Sequence, residues 1–281
     1  MSRQPATKYR RAGKPGKTAF SQLNELVKWV DLIVEVLDAR APVASRHPSS
    51  GKLFGNKARL LVLNKADLAE PQALKKWLNY FAEKQGQSAI ALTTTGKQGK
   101  GDFLKRVLDL TSDKAASQAK KGLLPRPVRL CVVGMPNVGK SSLINWLVGQ
   151  SRLKVADRPG VTKAPQWLRI HPKVELLDTP GILPNQSLPA KTLIKLSILN
   201  LVSEASYDQE ESARSCLDLL RDRIKEHLGG DADPSLEALA QKRNFLTVGG
   251  KLDTKRAATT LLCDLRDGKL GAIMLDDLPT I

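Results

Sequence analysis

The sequence is short of cysteine, of acidic side chains and of long apolar runs, and each shortage removes a class of explanation. Cys131, Cys216 and Cys263 are an odd, scattered set. They lack metal-ligand spacing, so they read as packing residues in a reducing compartment. No uninterrupted apolar segment is long enough to span a bilayer, and no secretory signal is read. The expectation is a soluble, cytoplasmic chain, with an organelle left open. Aromatic residues make up 4% of the chain, and its four tryptophans are read as packing groups rather than base-stacking platforms. Trp167 is the one whose exposure is worth checking. With 28 acidic against 45 basic residues, the formal net charge is +17, a footprint suited to an acidic partner such as nucleic acid.

The acid shortage is local. Residues 1–184 carry 32 basic and 13 acidic side chains, whereas residues 185–281 carry 13 and 15. Arg3, Lys8, Arg10, Arg11, Lys14 and Lys17 form an acid-free run broken by Gly13, Pro15 and Gly16. It is read as a flexible RNA-contacting arm over residues 1–17, with a solvated tail or a targeting peptide as alternatives. A second basic stretch, Lys114 to Arg129, reads as a linker whose charge keeps it solvated. In the C-terminal part, Leu193 to Val202, Cys216 to Leu228 and Ala257 to Leu265 have helical apolar spacing, with Gly229 and Gly230 and then Gly249 and Gly250 as breaks. Residues 185–281 are therefore expected to be a helical domain. Gln241 to Asn244, Lys251, Lys255 and Arg256 fit either a positive RNA face or ordinary helix surface.

What is present is more specific. Gly134 to Ser141 reads G-M-P-N-V-G-K-S, after the apolar run Val128 to Val133 and before a helical pattern from Ser142 to Val148. That context suits a phosphate loop, with Pro136, Asn137, Val138, Gly139, Lys140, Ser141 and Ser142 around the phosphates. Lys140 would reach the β- and γ-phosphates, and the Ser141 hydroxyl would ligate magnesium. Asn64, Lys65 and Asp67 of N-K-A-D follow the strand-like Arg59 to Leu63. The Asp67 carboxylate can accept from guanine N1–H and the N2 amine, a pattern adenine does not offer, while the Lys65 stem packs on the base. Asp178 of D-T-P-G closes the strand-like Val174 to Leu177 and points to magnesium, and Gly181 would offer its N–H to a γ-phosphate. Thr162 supplies a further magnesium hydroxyl. Thr95 and Gly96, in a loop after Ala89 to Leu92, are the least specific candidates, for the guanine oxygen. The base reader comes first, the phosphate loop second and D-T-P-G last, an order rotated from the usual one.

With these five segments in this order, the chain resembles the YlqF family, the ribosome biogenesis GTPase A type of circularly permuted GTPase. Val36 to Pro42 and Ser45 to Pro48 resemble that family's early segment. The resemblance implies an α/β P-loop domain in permuted order over residues 18–184, then the helical domain. It also implies GTP hydrolysis during late assembly of the large ribosomal subunit, contact with its RNA, and a monomer off the ribosome. Two departures bear on mechanism. Ile182 stands where many GTPases carry a water-orienting Gln. Pro15 to Thr18 reads P-G-K-T where family members carry a histidine implicated in hydrolysis, and His47, His171 and His227 are assigned no catalytic role. Asn137 resembles the asparagine with which related GTPases hold potassium, although it also fits a structural role. Slow turnover stimulated by ribosomal particles and potassium is expected. The alternative is a weakly catalytic, GTP-dependent binding switch acting on a protein or another RNA.

Overall fold

β1 (Leu32–Asp38), β2 (Ala58–Asn64) and β4 (Val128–Val133) are nearly continuous apolar runs, a pattern suited to strands covered on both faces. The computed structural model describes residues 25–96, 98–122, 124, 126–149, 166–178, 188–228 and 234–279. With β3 (Ser88–Leu92), β5 (Gln166–His171) and β6 (Val174–Asp178), these strands form one sheet in the order β3-β2-β1-β4-β6-β5. All neighbours pair parallel except β5 and β6. All seven β1 residues are buried, so the strand recognised in sequence only through its end, Val36 to Asp38, lies at the centre of the fold.

The chain lays β2 and β3 on one side of β1, returns to the centre for β4, and builds β6 and β5 on the other side. Connections leaving β1 and β4 thus diverge. Their carboxyl ends form a topological switch point, where open α/β sheets hold ligands. Rotation of motif order leaves this crevice intact, because the sheet records which strands are neighbours and not which came first.

Both faces are covered with period-two selection. Val34, Val36, Leu60 and Val62 share a core with Phe103 of α3 (Lys100–Asp109) and with Leu143 and Leu147 of α5 (Lys140–Val148). Leu37, Leu61 and Leu63 point to Leu74, Trp77 and Phe81 of α2 (Pro71–Gln85). Ile33, Cys131 and Leu177 pack with Leu53 and Phe54 of α1 (Ser50–Phe54). Burial pushes the Cys131 thiol up to about 12, as expected of an inert packing residue.

The basic stretch read as a linker is partly structural. α4 (Ser112–Lys120) occupies it, and Lys114 and Arg126 pair with Asp31 at the start of the sheet, at 2.6 and 2.7 Å. Burial raises the Asp31 carboxyl, but hydrogen bonds from Arg126, Lys114 and the Arg129 N–H outweigh it and bring the pKa to about 2. Trp167 is half-buried beneath the Arg129 guanidinium, 4.7 Å from its ring centroid, so it is committed to a cation–π contact.

Helices follow the sheet: α6 (Ala190–Ile198), α7 (Gln209–Leu219), α8 (Arg221–Leu228), α9 (Leu236–Lys242) and α10 (Thr254–Arg266). Asp208, Ser235 and Asp253 cap α7, α9 and α10 through side-chain oxygens that accept from backbone N–H groups. Their apolar faces, including Leu196, Cys216, Leu261 and Leu265, are continuous with the core over Val34 and Leu60. After α10 the chain returns to the sheet. Ile273 donates to the Leu68 carbonyl and Leu275 to the Arg40 carbonyl, and the Asp276 carboxylate accepts from the N–H groups of Val43 and Ala44 and from Lys195.

Candidate guanine-nucleotide site

Three loops meet at the switch point. The phosphate loop leaves β4 and enters α5 through two glycines whose backbones only glycine adopts easily, Gly134 at φ +156° and Gly139 at φ +96°. A Cβ on Gly134 would lie 2.5 Å from the Val36 carbonyl oxygen, and one on Gly139 would collide with the Asn64 amide. The spacing of these glycines thus serves close approach to β1 and β2.

The N-K-A-D loop after β2 is tied to this loop by its own side chains. Asn64, buried at the end of β2, donates from Nδ2 to the Val138 carbonyl at 2.9 Å. Its Oδ1 is buried without a protein partner. Lys65, in the left-handed region at φ 59°, donates from Nζ to the Asn137 carbonyl at 3.0 Å and to Asp38 Oδ2 at 2.9 Å. The Asp67 N–H donates to Thr93 Oγ1 at 3.2 Å, which joins this loop to the third one, and the Asp67 residue itself is exposed. Thr95 and Gly96 are exposed, and the Gly96 carbonyl accepts from Trp146 Nε1 of α5 at 2.6 Å. Lys100 donates to the Leu147 carbonyl. Residues far apart in the chain are therefore fixed into one rim.

On the phosphate side, Lys140 is half-buried and donates to the Met135 carbonyl at 2.7 Å. Burial pulls its ammonium below the usual lysine range. Ser141, Ser142, Pro136 and Asn137 are exposed, and Val138 is buried. Asn137 sits at φ 56° and donates from Nδ2 to the Asn200 carbonyl, just after α6, at 2.8 Å. The residue singled out for potassium thus also touches the C-terminal helices. The Asp178 backbone closes β6, opposite Gln166. Thr162 and Gly181 lie outside the described residues, as do Ile182 and the N-terminal run. Among the described residues no group of three or more His, Cys, Asp or Glu side chains is placed to hold a metal.

Sequence reasoning passed over the support beneath Lys65. Asp38 is fully buried and grips Arg40, whose Nε and Nη2 each donate at 2.9 Å. Burial would raise the Asp38 carboxyl, but Arg40 and Lys65 hold it below the ordinary value. The available signal was an Asp and an Arg two residues apart at the end of a central apolar strand.

A family model described as "50S ribosome-binding GTPase" matches residues 129–229. Ribosome biogenesis GTPase A of Bacillus cereus is 37% identical over 273 residues, covering 93% of this chain and 92% of the relative. The chain belongs to the ribosome biogenesis GTPase A, or YlqF, family. Its YlqF relatives include ribosome biogenesis GTPase A of Thermotoga maritima, 31% identical over 92% of this chain and 90% of the relative. Two solved YlqF structures superpose over 91% of the chain at 28% identity: GDP-bound TM YlqF, at a TM-score of 0.67 over 98% of its length, and GNP-bound YlqF from T. maritima, at 0.65 over 96%. The rotated motif order is thus the YlqF arrangement of a circularly permuted GTPase.

Proposed function

We propose that this chain is a GTP-hydrolysing factor that acts in late assembly of the large ribosomal subunit and binds its RNA. The observation that carries the nucleotide reading is the seating of the Asn64 amide against Gly139, which locks the base reader to the phosphate loop across β2, β1 and β4. The ribosomal reading is supported by the relatives' names, by the description of the matching family model and by the basic excess of residues 1–184. Residues 1–17 would be the RNA-contacting arm, 18–184 the nucleotide-binding domain and 185–281 the helical domain. No helix among the described residues is long and apolar enough to cross a membrane. The chain is proposed to be cytoplasmic and a monomer off the ribosome.

Asn64, Lys65 and Asp67 read guanine, with Thr95 and Gly96 at its carbonyl edge. Backbone N–H groups from Asn137 to Ser142 face the phosphates, and Lys140 supplies positive charge where negative charge accumulates in the transition state. The glycine cradle and the exposed Ser141 fit a magnesium-bound triphosphate, with Ser141, Thr162 and Asp178 as the groups that would hold the ion. Held by these groups, magnesium would supply neutralisation of the phosphate charge. Gly181 would direct its N–H to the γ-phosphate, and Asn137 would contribute its amide oxygen to potassium. Ile182 cannot orient water, so slow intrinsic turnover is expected.

The test is GTP turnover in potassium buffer with and without purified large subunits. Lys140→Ala serves as the control and is expected to lose at least a hundredfold. Stimulation of tenfold or more by subunits, and its loss in sodium, is the expected result. GTP binding without stimulation would replace this reading with that of a weakly catalytic switch for another partner.

A further inference from the structure

We propose that Asp38 and Arg40 are positioning residues for guanine recognition: they hold the Lys65 ammonium against the phosphate loop from beneath, and they act on the ligand only through Lys65. This inference rests on the guanine-nucleotide reading of the site.

A lysine is a poor tool for fixing a planar base unless something fixes the lysine, since its four-carbon stem and three equivalent donors leave many rotamers open. Here two of the three donors are committed, to Asp38 Oδ2 at 2.9 Å and to the Asn137 carbonyl at 3.0 Å. Asp38 has little freedom of its own. Its Oδ1 accepts from the Arg40 N–H at 3.1 Å and from Arg40 Nε at 2.9 Å, and its Oδ2 accepts from Arg40 Nη2 at 2.9 Å. Its backbone N–H donates to Ser45 Oγ at 2.9 Å, and that hydroxyl donates to the Ala41 carbonyl at 2.6 Å. Asp38 is 0% exposed and Arg40 1%, so neither meets a ligand directly. Lys65, with 27% of its side chain exposed, lies between them and the surface.

The carboxylate also has an electrostatic role. Without it, Arg40 and Lys65 would place two cations side by side beneath the loop, and the lysine would swing outward to solvent. A bidentate Arg–carboxylate pair is geometrically stiff, so the ammonium is held on a fixed platform rather than on another flexible chain. Arg40 extends that platform to the C-terminal region, since its Nη1 donates to the Arg266 carbonyl at 3.3 Å and its own carbonyl accepts from the Leu275 N–H at 2.7 Å.

A double-mutant cycle tests this, using fluorescent GDP on the full chain, with folding checked by thermal unfolding. Asp38→Asn is expected to weaken GDP about tenfold in the wild-type background and less than twofold beside Lys65→Met, because the route through Lys65 is already cut. Asp38→Glu retains the charge needed for folding but moves the carboxylate by a methylene. It is expected to give a smaller, similarly Lys65-dependent loss, and it stands in if Asp38→Asn does not fold. Equal losses with and without Lys65, from whichever Asp38 variant folds, would overturn the proposal and leave Asp38 a residue of stability alone. Failure of the wild-type chain to bind GDP would instead overturn the site reading, and this inference with it.

Discussion

The sheet and the C-terminal helices both carry many charges, but they pair them differently. In the sheet half some partners are distant in sequence and the carboxylates they meet are buried: Asp31 meets Arg126 across 95 residues, and Asp38 meets Lys65 across 27. Among the helices several pairs are local and wet, such as Arg221 with Asp218 and Lys269 with Asp267. Exposed pairs of that kind contribute about 0–1 kcal/mol each, whereas a buried charge left without its partner is costly. The comparison teaches where geometry is specified. In the sheet half ion pairs position loops that must meet, while in the helical half apolar burial and caps hold the helices and the charges cover their surface. The two regimes join at Arg40, Lys195 and Asp276, which tie the end of the chain to the base-reading side.

The sharpest way to break this contrast is to delete one guanidinium from each half. Arg40→Ala leaves the Asp38 carboxylate buried with Lys65 as its remaining cation and removes the donor to Arg266. We expect a loss of about 3–5 kcal/mol in denaturant unfolding. Arg221→Ala, whose partner Asp218 is well exposed, should change stability by less than about 0.5 kcal/mol. Equal effects would show that the burial distinction carries no energetic weight.

A smaller effect probes the junction. Asp276→Ala removes the acceptor for two backbone N–H groups and for Lys195. Charge-assisted bonds of this kind contribute on the order of 2 kcal/mol, so amide exchange at Ile273 and Leu275 should quicken roughly thirtyfold. Exchange within β2 should stay unchanged. If β2 protection falls in parallel, the returning segment is part of the sheet's own cooperative unit rather than a clasp laid over it.

Much of this arrangement could be read from the chain, for a physical reason. Asn64, Lys65, Gly134, Gly139 and Lys140 lie in short motifs at strand ends, where backbone and ligand chemistry constrain neighbouring residues together. The strand that ends at Asp38 was recognisable by likeness to a family, but its load-sharing with Lys65 depends on pairing between β1 and β2, which no local pattern encodes. The return of residues 273–276 was hidden for the same reason, because its partners Leu68, Arg40, Val43 and Ala44 lie some 200 residues earlier. Arg126 and Lys114 read as solvated linker charge because their shared partner, Asp31, opens a strand that shows its carboxylate only once the sheet is built. Helix α9 was missed although Ser235 offered a cap, since its single buried stripe of Leu236, Leu239 and Ala240 is too short to stand out as a period.

Asp31 gives the finest test of the contrast, through acid. Its folded pKa, about 2, lies below the ordinary value of 3.8. A depressed folded pKa means that the unfolded chain takes up the proton first as pH falls. The stability contributed by the Asp31 cluster is therefore complete above about pH 5 and is lost progressively as pH falls through the folded pKa, toward about pH 1. Lys114 and Arg126 are each more than a third exposed, so solvent screening trims the contribution to about 1–2 kcal/mol. Asp264, clamped by Lys269 and Arg243, is also held below the ordinary carboxylate range, but its partners come from the helical half itself. Unfolding free energies of wild type and Asp31→Asn should differ at pH 5, and the gap should narrow at pH 2.5. Asp264→Asn should show the same sign with a smaller difference. A larger acid effect from Asp264 would place the specifying charges among the helices and reverse the comparison.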